Sequence, residues 1–255
     1  MKLTDTHCHL YLNEFAGDID SVIERAVDEG VDKFYLPGID STHINDMLML
    51  EQRFPVKCRA MMGLHPCSVK ENYKEELQTM EEWLAKRNFV AVGEIGLDYH
   101  WDKTFLEEQA VAFRTQIEWS IRYGVPISIH TRDAMEESIS IVEEYVSKGV
   151  RGVFHCFGGS YENAKAVIAA GFYLGIGGVL TYKKSGLAEV LAKIDLQHFV
   201  LETDAPYLTP VPFRGKRNES SYLKYVVAKL AEVKKCSVEE VAAVTTANAE
   251  KIFGL

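Results

Sequence analysis

Short apolar runs, almost unbroken by polar residues, alternate with longer amphipathic stretches along the whole chain. The runs fall at residues 2–6, 33–36, 56–62, 89–93, 126–129, 152–154, 172–176 and 199–201. Continuous hydrophobicity, rather than strict alternation, marks parallel strands covered on both faces. The intervening stretches carry helical periodicity. Leu106, Ala110, Phe113, Ile117 and Ile121 recur at spacings of four, three, four and four, which predicts one apolar stripe. Val22, Ala26 and Val27 do the same in the first interval, and Ile139, Val142 and Val146 in the fifth. Gly30, Gly124, Gly149 and Gly171 stand where helices of this kind end. Eight strand–helix repeats predict an α/β protein, and that number favours a closed (β/α)8 TIM barrel over an open sheet. The 255 residues match the length such a barrel needs as a single domain, expected here over residues 1–255.

Composition narrows the picture. A charged fraction of 25% beside 47% hydrophobic residues argues against extensive disorder. No run approaches the ~20 apolar residues that span a bilayer, and no basic-then-apolar leader opens the chain. Neither a membrane nor an obligate protein partner is expected. The five cysteines are scattered without a CxxC pair, which excludes a zinc ribbon and fits a reducing, cytoplasmic setting. A net charge of −9 argues against a broad phosphate-coating surface, so a nucleic-acid substrate would have to be gripped locally.

The candidate chemistry recurs at one point of successive repeats. Strand one runs into His7 and His9, strand three into His65, strand four into Glu94 and on to Asp98. Strand five runs into His130, strand six into His155 and strand eight into Glu202 and Asp204. In a barrel of this type the C-terminal strand ends converge on one mouth, where active sites lie. Residues i and i+2 of a strand share a face, so His7 and His9 are expected to reach the axis together while Cys8 points away. Any one of these histidines alone is best read as a hydrogen-bonded structural residue; it is their joint placement that predicts a metal site. His43, His100 and His198 lack that placement and read as structural or surface residues. Cys8 and Cys156 read as small apolar packing groups.

Imidazole plus carboxylate without thiolate suits zinc, manganese or iron, and magnesium where carboxylate and water dominate. Six convergent ligands exceed the needs of one ion. This favours two divalent metals (Mg, Mn or Zn), with Glu94 the best-placed bridging carboxylate.

The segments "DTHCHL", "GLHP", "VGEIGLDYHW", "PISIHTRDA", "FHCFGG", "ETDAPYLTPVPFRGKRNES" and "TTANAEKIFGL" resemble, in this order and across the whole chain, the TatD family of metal-dependent deoxyribonucleases in the amidohydrolase superfamily. The resemblance implies a distorted barrel with a two-metal centre. It implies that His7, His9 and Asp204 hold one ion, that Glu94 bridges, and that His130 and His155 hold the other. His65 resembles the family's additional histidine, acting on substrate or behind the ligands. It further implies exonuclease action from the 3′ end of single-stranded DNA, or RNA. Two positions depart from the family pattern: Cys67 stands where a histidine is frequent, and Ser220 where a proline is usual.

Two metals ~3.5–4 Å apart activate a bridging water and clamp both oxygens of an in-line displacement. Asp204, Glu94 and His65 are therefore the candidate catalytic groups. Arg214, Lys216 and Arg217, in the long Pro-rich loop over 205–218, and Arg132, two residues beyond His130, are the candidate grips for substrate phosphates. Such a grip suits strand ends rather than a long duplex. Two rival readings are a superfamily hydrolase acting on a C–N bond or small phosphate ester, and a non-catalytic metal-stabilised binding protein. Glu94, where many relatives of the first kind carry a modified lysine, and the complete ligand set weigh against them.

Overall fold

A computed structural model describes residues 1–254 of the chain. Eight parallel strands form: β1 (Leu3–Asp5), β2 (Val31–Leu36), β3 (Cys58–Ala60), β4 (Val92–Asp98), β5 (Ile127–Arg132), β6 (Gly152–Phe154), β7 (Tyr173–Ile176) and β8 (Phe199–Leu201). Helices follow them in sequence: α1 (Ile19–Asp28), α2 (Ile44–Arg53), α3 (Tyr73–Lys86), α4 (Leu106–Tyr123), α5 (Met135–Glu143), α6 (Tyr161–Ala169), α7 (Leu187–Leu191), α8 (Leu223–Lys234) and a further helix, α9 (Val238–Phe253).

The strands run in sequence order but pair as two groups, β1–β2–β3 and β4–β5–β6–β7–β8. Two seams close the ring. One is a single parallel bridge between Met62 and Val92. The other is a set of backbone bonds, from Thr6 N to the Leu201 carbonyl at 3.0 Å, from Asp204 N to the His7 carbonyl at 2.9 Å and from His9 N to the Ala205 carbonyl at 2.7 Å. This is the predicted barrel, distorted where ordinary ladder pairing gives way.

Strand four differs from its expected limit. It does not stop at residue 93 but carries Glu94 inside and ends at Asp98. Its register against β5 slips, because Val92 pairs with Ile127 and Ile95 with Ile129, three steps against two. The extra residue is a bulge, the device that re-aims a side chain. Gly96 lets the strand continue beside β5: its φ is +141°, and a Cβ there would lie 2.0 Å from the His130 carbonyl oxygen. Strand five likewise extends through His130 to Arg132. Polar residues that looked like strand ends on hydropathy alone are inside the ladder because neighbouring side chains satisfy them.

Two apolar layers support this frame. A large outer core lies between strands and helices, with Phe34 and Leu36 of β2 in it. Tyr35, between them, faces the other way and joins Met61, Ala91, Val153 and Val200 in a smaller inner cluster. Ala249, Ile252 and Phe253 of α9 complete that cluster, the Tyr35 and Phe253 rings lying 4.5 Å apart.

On α4 the buried face is offset from the predicted stripe. Phe113 and Ile117 are buried, but so are Gln109 and Gln116, while Leu106, Ala110 and Ile121 are only partly so. Each glutamine amide satisfies a backbone unit at the barrel mouth. Gln116 accepts from Leu64 N (2.7 Å) and donates to its carbonyl (3.2 Å), and Gln109 does the same for Asp98 (2.9 and 3.2 Å). A buried amide so paired is stable where an unpaired one would not be. No described helix is long and apolar enough to cross a membrane.

Candidate metal centre

His7 and His9 lie just beyond β1, in extended chain that still alternates its partners. Thr6 N bonds toward β8, Cys8 N to the Tyr35 carbonyl at 3.0 Å, and His9 N to the Ala205 carbonyl at 2.7 Å. Both imidazoles reach the barrel mouth. Cys8 is buried on the opposite side, its thiol donating to the Tyr35 carbonyl. Asp204 follows β8 with φ +56°, a left-handed turn that an aspartate tolerates better than most residues. Asp5 ties the same two strands together below the site. Its buried carboxylate accepts from Thr203 N, Thr203 Oγ1 and Ser220 Oγ at 2.9, 2.6 and 2.6 Å. Ser220 therefore supplies a hydroxyl that the proline expected there from the resemblance would lack.

Glu94 sits at the centre, 2% exposed, and its two oxygens face different partners. Oε2 lies 3.0 Å from His7 Nε2 and 3.5 Å from His9 Nε2. Asp204 Oδ1 lies 3.8 and 3.6 Å from the same two nitrogens. Oε1 faces His130 Nδ1 at 2.9 Å, His155 Nε2 at 3.2 Å and His65 Nε2 at 3.4 Å. Ligands about 2.0–2.2 Å from one ion lie roughly 3–3.6 Å apart in tetrahedral or octahedral geometry. These donor atoms have nearly that spacing, so the residues present fit metal ions. Among the described residues no lysine or arginine pairs with Glu94, Asp204 or Glu202, and only imidazole or a metal cation is there to balance them.

The far nitrogen of each imidazole separates ligands from other roles. His155 Nδ1 donates to Glu202 Oε1 at 3.1 Å, and His130 Nε2 donates to Asp98 Oδ2 at 2.8 Å. Tyr11 gives its own proton to the Pro37 carbonyl at 2.5 Å, so it accepts from His9 Nδ1 at 3.0 Å. His7 Nδ1 has the Ser128 hydroxyl at 3.2 Å. Each of these rings can keep its proton on the far side and turn a bare lone pair to the centre, the arrangement that orients metal-binding histidines. His65 is the reverse. Its Nδ1 accepts from Cys67 N at 3.0 Å, so the neutral ring carries its proton on Nε2, toward the centre. That atom is a donor and not a ligand lone pair.

Electrostatics follow from burial and crowding. Burial opposes charge on Glu94, but the imidazoles of His7, His155 and His65 outweigh it and hold the carboxyl well below the usual range. Burial, then the nearby His155, keeps His7 neutral. Burial also disfavours charge on His155, yet Glu94 and Glu202 outweigh it and raise that imidazole well above its ordinary value. Asp204 is raised to about 6 by burial, against the attraction of His155 and His9. Glu94 is thus held as a carboxylate in the middle of the imidazoles.

Sequence reasoning left Glu202, Asp98, Tyr11 and Ser128 without roles. The signal for Glu202 was present: a carboxylate at the end of a fully apolar strand with no basic residue beside it. Gly175 makes room for it, since a Cβ there would lie 2.3 Å from Glu202 Oε2, an oxygen left without a hydrogen-bond partner. Cys156 departs from its expected role as a simple packing group. It adopts φ +47° and forms part of the cavity wall, its thiol pushed up by burial and so kept protonated.

Above the centre opens a cavity of about 740 Å³, bordered by His65, Cys67, Trp101, Arg132 and Tyr207. Of the four basic residues expected to grip phosphate, Arg132 alone is on its wall. Arg217 is a correction. Its guanidinium forms two 2.8 Å bonds to the Asp18 carboxylate, another to the Glu14 carbonyl at 2.6 Å, and lies over the Phe15 ring. Arg214 lies over the Tyr182 ring at 3.8 Å and Lys216 near the Phe213 ring at 5.5 Å, neither on the wall. The physical reason is the packing of the loop: it folds against the segment before α1, against Tyr182 beyond β7 and onto its own Phe213, which claim the cations first. His43 pairs with Asp40 and His100 with Asp133, both away from Glu94, as expected of structural residues.

Known proteins resemble this chain over nearly its full length. The family model for TatD related DNase matches residues 4–254. The metal-dependent hydrolase YabD of Bacillus subtilis, itself described as uncharacterized, is 40% identical over 252 residues, 98% of each chain. The 3′-5′ ssDNA/RNA exonuclease TatD of Erwinia tasmaniensis is 32% identical over 257 residues, covering 98% of this chain and 99% of that one. The crystal structure of YjjV, a TatD homologue of Escherichia coli, superposes with a TM-score of 0.94 at 30% identity, over 99% of this chain and 98% of that one. With its barrel, its buried histidine–carboxylate cluster and these relatives, the chain belongs to the TatD family of metal-dependent hydrolases.

Proposed function

We propose that the protein is a phosphodiesterase that removes nucleotides from the 3′ end of single-stranded DNA or RNA. The observation that carries this reading is the division of Glu94, with Oε2 toward His7 and His9 and Oε1 toward His130 and His155. Such a carboxylate suits two divalent ions, with His7, His9 and Asp204 holding one and His130 and His155 the other. Bound there, the ions supply Lewis-acid charge that acidifies water and neutralises the phosphodiester oxygens.

The chain's own groups do the rest. Asp204, partly exposed at the cavity floor, orients the attacking water and takes its proton. The water oxygen forms a bond to phosphorus as the P–O3′ bond breaks. A 5′-mononucleotide leaves, and the 3′-oxygen of the shortened strand takes the proton that Asp204 carried and becomes a hydroxyl. His65, with its proton on Nε2, donates to a non-bridging phosphate oxygen. Arg132 holds the next phosphate from the wall.

The test uses metal-stripped protein, with Mg, Mn or Zn returned singly, on 5′-labelled single strands, duplexes and RNA. A ladder of products shortened from the 3′ end is expected. Efficient cutting of closed circular single strands would replace the exonuclease reading with an endonuclease. Inactivity on every nucleic acid, beside turnover of small phosphate esters or amides, would overturn it.

A further inference from the structure

Trp101 is 68% exposed, although an indole of that size is ordinarily well covered. Trp83 is partly buried and Trp119 buried, so among the described tryptophans it alone is given to solvent. It does not hang on a loose loop. Asp98 Oδ1 accepts from His100 N at 3.0 Å and from Trp101 N at 3.1 Å, while Oδ2 of the same carboxylate accepts from His130. One aspartate therefore sets both a metal-site imidazole and the indole beside it. Asp98 also pairs with Arg132 across the β4–β5 ladder, and the Arg132 guanidinium lies 5.0 Å from the indole centroid. No carboxylate pairs with that guanidinium among the described residues, unlike Arg217 and Arg25 in the Asp18–Glu219 network. Tyr207, 49% exposed, borders the same cavity from the β8 side.

We propose that Trp101, steadied by Arg132, is the stacking platform for a nucleobase at the strand end being processed. The inference rests on the phosphodiesterase reading above and names the part of the substrate that this wall recognises. A flat, exposed π-face beside an unpaired cation suits a base joined to its phosphate, since base–aromatic stacking works for every base and the cation adds to it. At a blunt duplex end the terminal base stays joined to its complement, so seating it alone on the indole costs unpairing, and the platform favours unpaired ends.

The test compares metal-loaded wild type, Trp101→Ala and Trp101→Phe on two oligonucleotides, one ending in a normal 3′ nucleoside and one in an abasic sugar. Wild type should show a KM about five- to a hundredfold lower for the base-bearing end, the range that stacking supplies. Trp101→Ala should bring that ratio close to one, and Trp101→Phe should keep most of it. An unchanged ratio in Trp101→Ala overturns the platform. A second readout does not need turnover: the base-bearing oligonucleotide should quench wild-type indole emission beyond what Trp101→Phe shows from Trp83 and Trp119. Equal quenching in the two also overturns the proposal. Quenching without hydrolysis of either oligonucleotide would keep the platform and refute the phosphodiesterase.

Discussion

Within the barrel, Tyr35, Met61, Val153 and Val200 meet Ile252 and Phe253 in an apolar cluster, while His7, His9, Glu94, His130, His155 and Asp204 meet one another at the mouth. Both groups are largely buried and project from the same strands or the residues that follow them. The apolar cluster lowers the free energy of the folded chain, since its apolar surface leaves water, against the cost of the Tyr35 hydroxyl, which is buried there without a hydrogen-bond partner. The mouth has the opposite sign: several carboxylates and imidazoles are withdrawn from water, each depending on a neighbour or a cation to offset its desolvation. Stability and function are thereby assigned to different regions of one scaffold, and each should respond to its own substitutions.

Breaking the mouth should have the largest effect. Glu94→Ala removes the carboxylate that both histidine sets face, so activity should fall by at least about a thousandfold while the barrel remains folded. Metal analysis and circular dichroism of the purified variant check this, and unchanged metal content would remove Glu94 from the centre. In the inner cluster, Phe253→Ala should cost about 3–5 kcal/mol of stability by leaving a cavity against Tyr35. Its metal content per folded molecule should be unchanged. A denaturation midpoint equal to wild type would show that the α9 contact adds nothing.

A finer test addresses the support of the mouth. Glu202→Gln keeps the shape but weakens the acceptor for His155 Nδ1, and should lower metal affinity or activity about 10- to 100-fold. Competition with a chelator measures it. The smallest effects distinguish the two arginine regions. Arg132→Ala should raise KM about tenfold and flatten its salt dependence, because a phosphate contact is lost. Arg217→Ala should leave KM and salt slope alone and cost about 1 kcal/mol of stability, as for a surface ion pair. The bond from Arg217 holds the Asp18 carboxyl below its usual range. That stabilisation is therefore present above the ordinary carboxylate pKa and is lost as pH falls through the folded value. Thermal melts across the acid range should show the difference between wild type and Arg217→Ala disappearing at low pH.

Much of this molecule is legible along the chain. Apolar runs located β6 and β8 at their observed limits, and the six ligand candidates all meet at the mouth. These features depend on strand order and on residues next to strands, which a linear pattern carries directly. Less legible were the buried face of α4 and the length of β4. Gln109 and Gln116 lie outside the predicted apolar stripe, and Glu94 read as a strand end, because hydropathy scores a polar group as though it had no partner. Each is buried because a specific backbone unit or imidazole lies opposite it.

The amino-acid sequence by itself determined the α/β repeat, the barrel, the convergence of six candidate ligands and the family. Only the tertiary structure decided which arginine is free. Arg217 follows Asp204 closely in a basic motif yet is taken by Asp18, some 200 residues away along the chain, whereas Arg132 has no carboxylate partner at the mouth. It also decided that His65 has a backbone donor behind its far nitrogen while His130 and His155 have carboxylates behind theirs, the contrast that favours opposite tautomers in their neutral rings. Residue type records which chemistry a side chain can perform. Which of its atoms remain available depends on neighbours that only folding brings within about 3 Å.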